Sequence, residues 1–143
     1  MFLKNTSLLA IIFFPLFLSS AGAQESTRGK FHWRPAPYDT ATVQTITGRV
    51  ITLERFAATH RRSRGIHALL KSDNESIYVY LAPRWHLKKQ DFRVSKGDTI
   101  TVTGSRELLD GRMTLVAAEI RKGQMRLKLR ERDGTAAWWK TRQ

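Results

Sequence analysis

The sequence predicts an all-β protein, a small five-stranded barrel with a short helix between the third and fourth strands and an extra C-terminal hairpin. Several short runs are rich in β-branched residues and alternate apolar with polar side chains, which is the pattern of half-buried strands. Gly, Pro, Asn and Asp separate these runs and are typical of turns. In residues 96–120, two such runs flank an Asp-Gly pair, a frequent signal of a β-hairpin.

Residues 1–23 are expected to be an export signal. Lys4 gives the start a positive charge, residues 8–18 are almost wholly apolar, and residues 21–23 form a small-residue cleavage site. The apolar run is short for a membrane span, so an uncleaved anchor is the less favoured alternative. Cleavage starts the mature chain at Gln24, and the expected location is periplasmic or secreted.

The chain is strongly basic: of 143 residues, 25 are Lys or Arg and 12 are Asp or Glu, which gives a formal net charge of +13 at pH 7. Such an excess favours an anionic partner, such as nucleic acid, an anionic envelope polymer or an acidic protein face. Export argues against intracellular nucleic acid as the physiological ligand. The chain has no cysteine, so it contains neither a disulfide nor a lipid-modified cysteine.

Residues 24–41 are expected to form an extended lead-in, because two prolines and a glycine oppose a helix there. Its three aromatic residues either dock the segment onto the barrel or leave it mobile, and the sequence does not decide between the two. These residues are Phe31, Trp33 and Tyr38. Residues 42–143 are assigned to the barrel with its C-terminal hairpin.

Five runs are predicted as strands: Val43–Leu53, Gly65–Lys71, Ile77–Leu81, Thr99–Ser105 and Met113–Ile120. The first is long and its apolar face changes midway, so a bulge or bend is expected at Gly48. The second and third should pair as a hairpin across the polar cluster 72–76. Alternation in the third strand places its aliphatic residues inward and Tyr78 and Tyr80 outward.

Two further features frame the barrel. Pro83 is suited to opening a short helix, after which Trp85 is expected to plug the open end of the barrel. In the tail, Asp133-Gly134 predicts a hairpin turn. Trp138 and Trp139 then lie on the returning strand, and at least one is expected to pack against the barrel.

Three short patterns resemble those of small exported bacterial OB-fold proteins: Thr47-Gly48-Arg49-Val50 in the first strand, Lys96-Gly97-Asp98 before the fourth, and Val102-Thr103-Gly104-Ser105 within it. The resemblance covers about Val43 to Ile120 and implies a five-stranded, partly open Greek-key barrel. Proteins of this fold generally bind ligands on the face of strands two and three, between the loops joining strands one to two and four to five. The fold hosts many functions, so the resemblance names no ligand.

Mapping the chain onto that layout predicts a ligand face of basic groups around two tyrosine rings. Guanidinium and ammonium groups attract phosphate, and an aromatic ring offers a stacking surface worth about 1–3 kcal/mol per base. The alternative is an ordinary solvated sheet face, or one covered by the tail. The candidate residues are Arg61, Arg62 and Arg64 of the loop joining strands one and two, Lys71 of strand two, Tyr78 and Tyr80 of strand three, and Arg106 and Arg112 of the loop joining strands four and five.

The sequence predicts no catalytic residues, no metal site and no cofactor. His60 and His67 are the histidines that the topology brings nearest, but they lack tight ligand spacing and the arginines beside them would repel a cation. Asp98 and Asp110 occupy turns, and Ser105 has no histidine near it to act as a base. The chain is therefore not expected to be an enzyme.

Two functions follow from these patterns. The leading hypothesis is an exported, monomeric binding protein that captures nucleic acid or an anionic envelope polymer on the tyrosine and arginine face. The alternative is a structural or accessory module of a cell-envelope protein complex, contacting partners through the aromatic lead-in and the tryptophan-bearing tail. A metal-binding or redox role at His60 and His67 is the least favoured.

Overall fold

The fold is built from strands and two short helical turns, in a computed structural model that describes residues 36–55 and 65–140. In this part of the chain, no helix is long and apolar enough to cross a membrane. The elements in chain order are a 3-10 turn Thr40–Thr42, β1 Val43–Arg55, β2 Ile66–Lys71, β3 Ser76–Ala82, α1 Arg84–Leu87, β4 Thr99–Leu109, β5 Arg112–Lys122 and β6 Met125–Lys128.

The strands form one sheet in the order β3-β2-β1-β4-β5-β6, and the sheet closes because β3 also pairs with β5. The β3–β5 pair is parallel and the other pairs are antiparallel. Five strands thus make a closed barrel in the connectivity of the OB-fold, while β6 extends the sheet from the edge of β5. The predicted all-β barrel with a helix between its third and fourth strands is confirmed.

The first strand serves both halves of the barrel, but its irregularity is not where the sequence placed it. Its first half pairs with β4 and its second half with β2. The register shifts between Val50 and Thr52, so Ile51 is the extra residue and the prediction of a bulge at Gly48 is wrong. Glycine is required at position 48 for a different reason, since the backbone of β2 lies very close to it. A Cβ there would lie 2.5 Å from the carbonyl oxygen of Lys71.

Apolar side chains from all five barrel strands fill the interior. Alternate residues of β2 and β3 face inward, as predicted, and burying an aliphatic side chain of this size contributes about 1.5–3 kcal/mol. The interior is therefore the main source of stability. Its buried residues include Val50, Ala68, Leu70, Ile77, Val79, Leu81, Ile100, Val102, Leu115 and Ile120.

The hairpin between β4 and β5 is tighter than the sequence suggested. β4 continues to Leu109 and β5 begins at Arg112, so Asp110 and Gly111 alone make the turn. Both have positive φ, at 49° and 78°, as a two-residue type I′ hairpin requires. Arg106 consequently lies within β4 and not in a loop.

Phe92, and not Trp85, closes the end of the barrel beside α1. Phe92 is 7% exposed, and the half-buried Leu87 and Val94 pack against the same core. Trp85 is 36% exposed, with the Nζ atom of Lys89 5.5 Å from its ring centre. The prediction that Trp85 plugs the barrel is wrong, because the single helical turn directs Leu87 toward the core in its place.

The tail, residues 125–140, folds back after β6 at the predicted Asp133-Gly134 turn. Its returning arm forms a single bridge, between Arg130 and Ala136, instead of a continuous strand. Trp138 is 1% exposed and Trp139 is 41% exposed. The prediction that at least one of these tryptophans packs against the barrel is confirmed.

Several predicted features lie outside the described residues. They are the export signal, most of the lead-in including Phe31 and Trp33, His60, and three site residues, Arg61, Arg62 and Arg64. The end of the lead-in is described. There, Ala36 is buried and Tyr38 packs against the core, so this end docks onto the barrel.

Candidate functional site

Three residues of the predicted ligand face meet on one side of the barrel. Tyr78 of β3 is half-buried, and the guanidinium carbon of Arg112 lies 4.1 Å from the centre of its ring. The parallel pairing of β3 with the start of β5 brings these two side chains together. Lys71 is exposed and lies two residues beyond Leu69, the partner of Tyr78, so it shares the same side of the sheet.

Tyr80 is not an exposed stacking surface, contrary to the prediction. It points away from the barrel interior, opposite His67 of β2, and yet it is only 1% exposed. The His67 ring packs against it in an edge-on arrangement at 5.1 Å. Burial raises the pKa of Tyr80 far above its usual value, and the nearby Arg130 offsets this only in part. Alternation predicted the direction of the side chain correctly, but another segment covers this face.

The covering segment is formed by residues 36–39 and 129–138, called the tail cover below. At its centre lies Arg130, which is only 3% exposed. The guanidinium carbon of Arg130 is 5.6 Å from the ring centre of Tyr38 and 5.2 Å from that of Trp138, within reach of a cation–π interaction with each. Its Nη1 donates to the carbonyl oxygen of Gly134 at 2.9 Å. Arg130 therefore joins the tail to the end of the lead-in.

Two further contacts hold the tail cover in place. Gly134 has a φ of 87°, and a Cβ at this position would lie 2.5 Å from Cδ1 of Tyr38, so only glycine fits. The backbone N–H of Asp39 donates to Oε1 of Glu107 at 2.6 Å, which ties the lead-in to β4. The tail cover thus closes the Tyr80 end of the sheet face and leaves the Tyr78 end accessible.

Arg106 is engaged in structural contacts. It lies in β4 opposite Leu115, and its Nη2 forms an ion pair with Oε1 of Glu75 in the turn before β3. Its backbone N–H donates to Oγ1 of Thr42 at 3.2 Å. The prediction that Arg106 belongs to a loop flanking the ligand face is therefore wrong, because the strands continue to a two-residue turn. The opposing arginine-rich loop lies outside the described residues.

His67 does not lie in a metal site within the described ranges. Its ring is buried against Tyr80. In residues 36–55 and 65–140, no three His, Asp or Glu side chains lie close enough together to hold a metal ion. His60, the other residue of that hypothesis, falls between these ranges.

A basic cleft at the end of the barrel was not predicted. It has a volume of about 320 Å³ and lies between α1, the segment 92–95 and the nearby ends of three strands. Its floor is apolar and comprises Leu53, Ile66, Leu81, Leu87, Phe92 and Val94. Among the described residues that line it, four are cations and none is a carboxylate. The cations are Arg55, Arg84, Lys88 and Arg93.

The basic cleft escaped sequence analysis because its residues are distant in the chain. Residues 84–93 contain two arginines and two lysines, a local excess of charge that was a usable signal. Arg55 ends β1, and only closure of the barrel brings it beside α1. The apolar floor likewise combines β1, β2 and β3 with the segment after α1.

His86 connects α1 to the tail cover. Its ring centre is 5.1 Å from that of Trp138, and its Nε2 is 3.4 Å from the side-chain nitrogen of Gln90. Burial, and secondarily the charge of Lys89, lowers the pKa of His86 below its usual value of 6.5. The imidazole is therefore neutral near pH 7.

Comparison with known proteins identifies the family. No curated protein matches the chain in sequence. Among solved structures, the second OB-fold domain of replication protein A from Methanococcus maripaludis is similar at 22% identity and a TM-score of 0.41, over 66% of this chain and 91% of that one. The model of the MamS/MamX magnetosome protein family matches residues 42–127, which contain all five barrel strands. Because the matched residues make up more than half of this chain, the chain belongs to the MamS/MamX magnetosome protein family.

Proposed function

We propose that this chain is an accessory protein of the magnetosome, an OB-fold barrel that docks other proteins and has no catalytic activity of its own. The observation that carries the proposal is the family match across the entire barrel. The predicted role as an accessory module of a protein complex fits this family better than the capture of a free anionic polymer does.

The geometry of the sheet face also favours protein contacts over base stacking. A surface for single-stranded nucleic acid needs several exposed rings on which successive bases stack. Here Tyr80 is buried, and Arg112 lies against the ring of Tyr78. Arg106, another predicted phosphate contact, is paired with Glu75. Binding of nucleic acid to this face is therefore the less supported function.

The tail cover offers a surface suited to a protein partner. Trp139 is 41% exposed beside Ala136, and both line a shallow cavity of about 320 Å³ with Tyr38 and Arg130. Tryptophan and tyrosine are enriched among the residues that contribute most to protein interfaces, whereas Arg130 is 3% exposed and holds the tail cover together from within. This supports contact through the tail and the end of the lead-in.

The proposal includes export. The signal-like residues 1–23 would carry the protein out of the cytoplasm. In its new compartment, the strongly basic chain favours acidic partners. Docking is then driven by charge attraction together with aromatic contacts.

The test is cross-linking of the full-length chain in a magnetosome-forming cell, followed by magnetosome purification. We expect the chain to cross-link to magnetosome proteins and Trp139→Ala to weaken this, while Lys71→Glu with Arg112→Glu leaves it unchanged. A chain that does not fractionate with magnetosomes contradicts the accessory function. If instead the double charge reversal alone abolishes cross-linking, and also abolishes salt-sensitive retention on a single-stranded oligonucleotide, the sheet face is a nucleic-acid site.

A further inference from the structure

We propose that the basic cleft is the docking site for an acidic segment of a partner protein that inserts one apolar side chain. This inference rests on the proposed function and extends it, because it names a surface and the chemistry of the segment that the surface binds.

The size of the basic cleft fits a short peptide segment. Its volume of about 320 Å³ lies at the lower end of the range for small-ligand pockets, about 300–1,000 Å³. Leu53, on the floor, is 38% exposed although β1 pairs it with the fully buried Ala68. An inserted aliphatic or aromatic side chain would remove this apolar surface from water.

The charges on the rim define the partner. Several basic side chains elsewhere on the described surface have carboxylate partners: Lys122 pairs with Asp98, and Arg121 and Arg126 share Glu119. The four rim cations have no ion pair within residues 36–55 and 65–140. Two carboxylates are near these cations in sequence, but neither lines the cleft. Glu54 accepts a hydrogen bond from Oγ1 of Thr52 at 3.4 Å, and Asp91 faces a separate cavity with Met125 and Arg126.

Arginine explains why the partner groups are expected to be carboxylates of a peptide. Three of the four rim cations are arginines, whose planar guanidinium groups bind carboxylates, and phosphates equally, through two parallel hydrogen bonds. The apolar floor beside them favours a peptide, because a peptide also carries apolar side chains. Acidic side chains flanking one apolar residue place anions on the rim and the apolar group on the floor. Among the described residues that line the cleft, no carboxylate competes for these contacts.

Shape distinguishes a peptide from a membrane surface. Peripheral membrane binding uses apolar groups that protrude from the protein into the bilayer. The apolar residues of the basic cleft line a concave surface, which an inserted side chain fits better than a flat membrane does. Trp85 follows Arg84 in α1 and is 36% exposed, so an extended segment bound at Arg84 could also contact its ring.

The experiment uses a fluorescein-labelled heptapeptide that has one phenylalanine between three acidic residues on each side, with the full chain as receptor. We expect saturable binding that weakens as salt is added. Arg84→Glu with Lys88→Glu should weaken it by about ten-fold or more. The matched control, Arg49→Glu with Lys96→Glu, makes the same charge change at exposed residues outside the cleft lining and should retain binding. Replacing phenylalanine by serine in the peptide should also weaken binding.

Several outcomes overturn the inference. These are absence of binding to the natural chain, equal losses in the two double variants, or equal binding of the serine peptide. A different result would identify a membrane surface instead. In that case the natural chain binds vesicles of phosphatidylglycerol and phosphatidylcholine but not the peptide, and the cleft variant loses the vesicle binding. Circular dichroism confirms that both variants are folded.

Failure of this inference is separable from failure of the proposed function. If the cleft variant loses the peptide but still cross-links to magnetosome proteins to the same extent, the cleft is not the docking site and the accessory function stands. If the natural chain binds the peptide but does not fractionate with magnetosomes, the accessory function fails.

Discussion

The tail cover and the basic cleft both place arginine beside apolar or aromatic groups, and they differ in exposure. In the tail cover, Arg130 is 3% exposed and lies near the rings of Tyr38 and Trp138. In the basic cleft, Arg84 and Arg93 are exposed above an apolar floor. An arginine next to rings is therefore not by itself a binding site, since the same chemistry serves packing in the tail cover and, as proposed, recognition in the basic cleft.

Desolvation explains the difference. Burying a guanidinium group is costly, and in the tail cover two rings and the Gly134 carbonyl offset part of that cost. The Nε and Nη2 atoms of Arg130 have no hydrogen-bond partner among the described residues. Burial accordingly lowers the pKa of Arg130. The cations of the basic cleft remain hydrated, and their desolvation is deferred until a partner supplies carboxylates.

The largest effect is expected at the centre of the tail cover. Trp138→Ala removes a side chain that is 1% exposed and should lower the free energy of unfolding by about 3–5 kcal/mol. Trp139→Ala, at an exposed neighbour, is the matched control and should change it by less than about 0.5 kcal/mol. Urea unfolding followed by circular dichroism measures both. Equal losses would show that the tail is not packed as described.

Arg130 should be the next most sensitive position. Arg130→Ala removes the bond to Gly134 and the ring contacts, and should lower the free energy of unfolding by about 2 kcal/mol. It should also speed hydrogen exchange in residues 129–138. Arg132→Ala, a change at an exposed arginine two residues away, should do neither. If the two variants behave alike, the role of Arg130 in the tail cover is refuted.

A smaller effect is expected from the ion pair on β4. The side chains of Arg106 and Glu75 are 32% and 36% exposed. A double-mutant cycle with alanine at each position should therefore give a coupling of about 0.2–1 kcal/mol. The unfolding measurement also tests the assignment of Arg106. If the coupling is zero and Arg106→Ala also loses retention on a single-stranded oligonucleotide, Arg106 belongs to the ligand face after all.

Substitutions on the rim of the basic cleft should hardly change the stability of the fold. Arg84→Glu with Lys88→Glu changes exposed side chains that have no ion pair in the described residues, so the free energy of unfolding should change by less than about 0.5 kcal/mol. Thermal unfolding measures this in the same preparation that is used for peptide binding. A loss as large as that of Arg130→Ala would mean that these cations stabilise the fold.

The smallest effect concerns His86. Its pKa is lower in the folded protein than the usual 6.5, so the unfolded chain takes up a proton more readily as the pH falls. The melting temperature should therefore be flat above pH 7 and decrease as the pH falls through and below 6.5. His86→Gln should flatten this slope between pH 7 and 5. Asp98 and Glu119 also have lowered pKa values, but they act near and below about pH 4. An unchanged slope in the variant contradicts the assignment.

Local patterns predicted most of the fold. The five strands, the hairpin at Asp110-Gly111 and the helix after Pro83 follow from alternation and turn chemistry, which act over a few residues. Contacts between distant segments produced the errors. The bulge lies at Ile51 instead of Gly48, and Phe92 closes the barrel instead of Trp85, because packing across the barrel decides both.

The candidate site was predictable only in part. The sequence grouped Lys71, Tyr78 and Arg112 correctly through the strand order. It did not show that Tyr80 lies under the tail, or that Arg106 pairs with Glu75. It also gave no indication that Arg55 joins the residues around α1. Each of these contacts joins residues far apart in the chain.

The sequence by itself determined the strands, their inward and outward faces, the position of the Asp110-Gly111 turn, and the excess of positive charge. Tertiary structure alone decided which outward face is open. A side chain's direction depends on backbone alternation, whereas its exposure depends on what packs above it. Tyr80 and the cations of the basic cleft all point outward, but the tail cover encloses Tyr80 and leaves the cleft accessible to a partner.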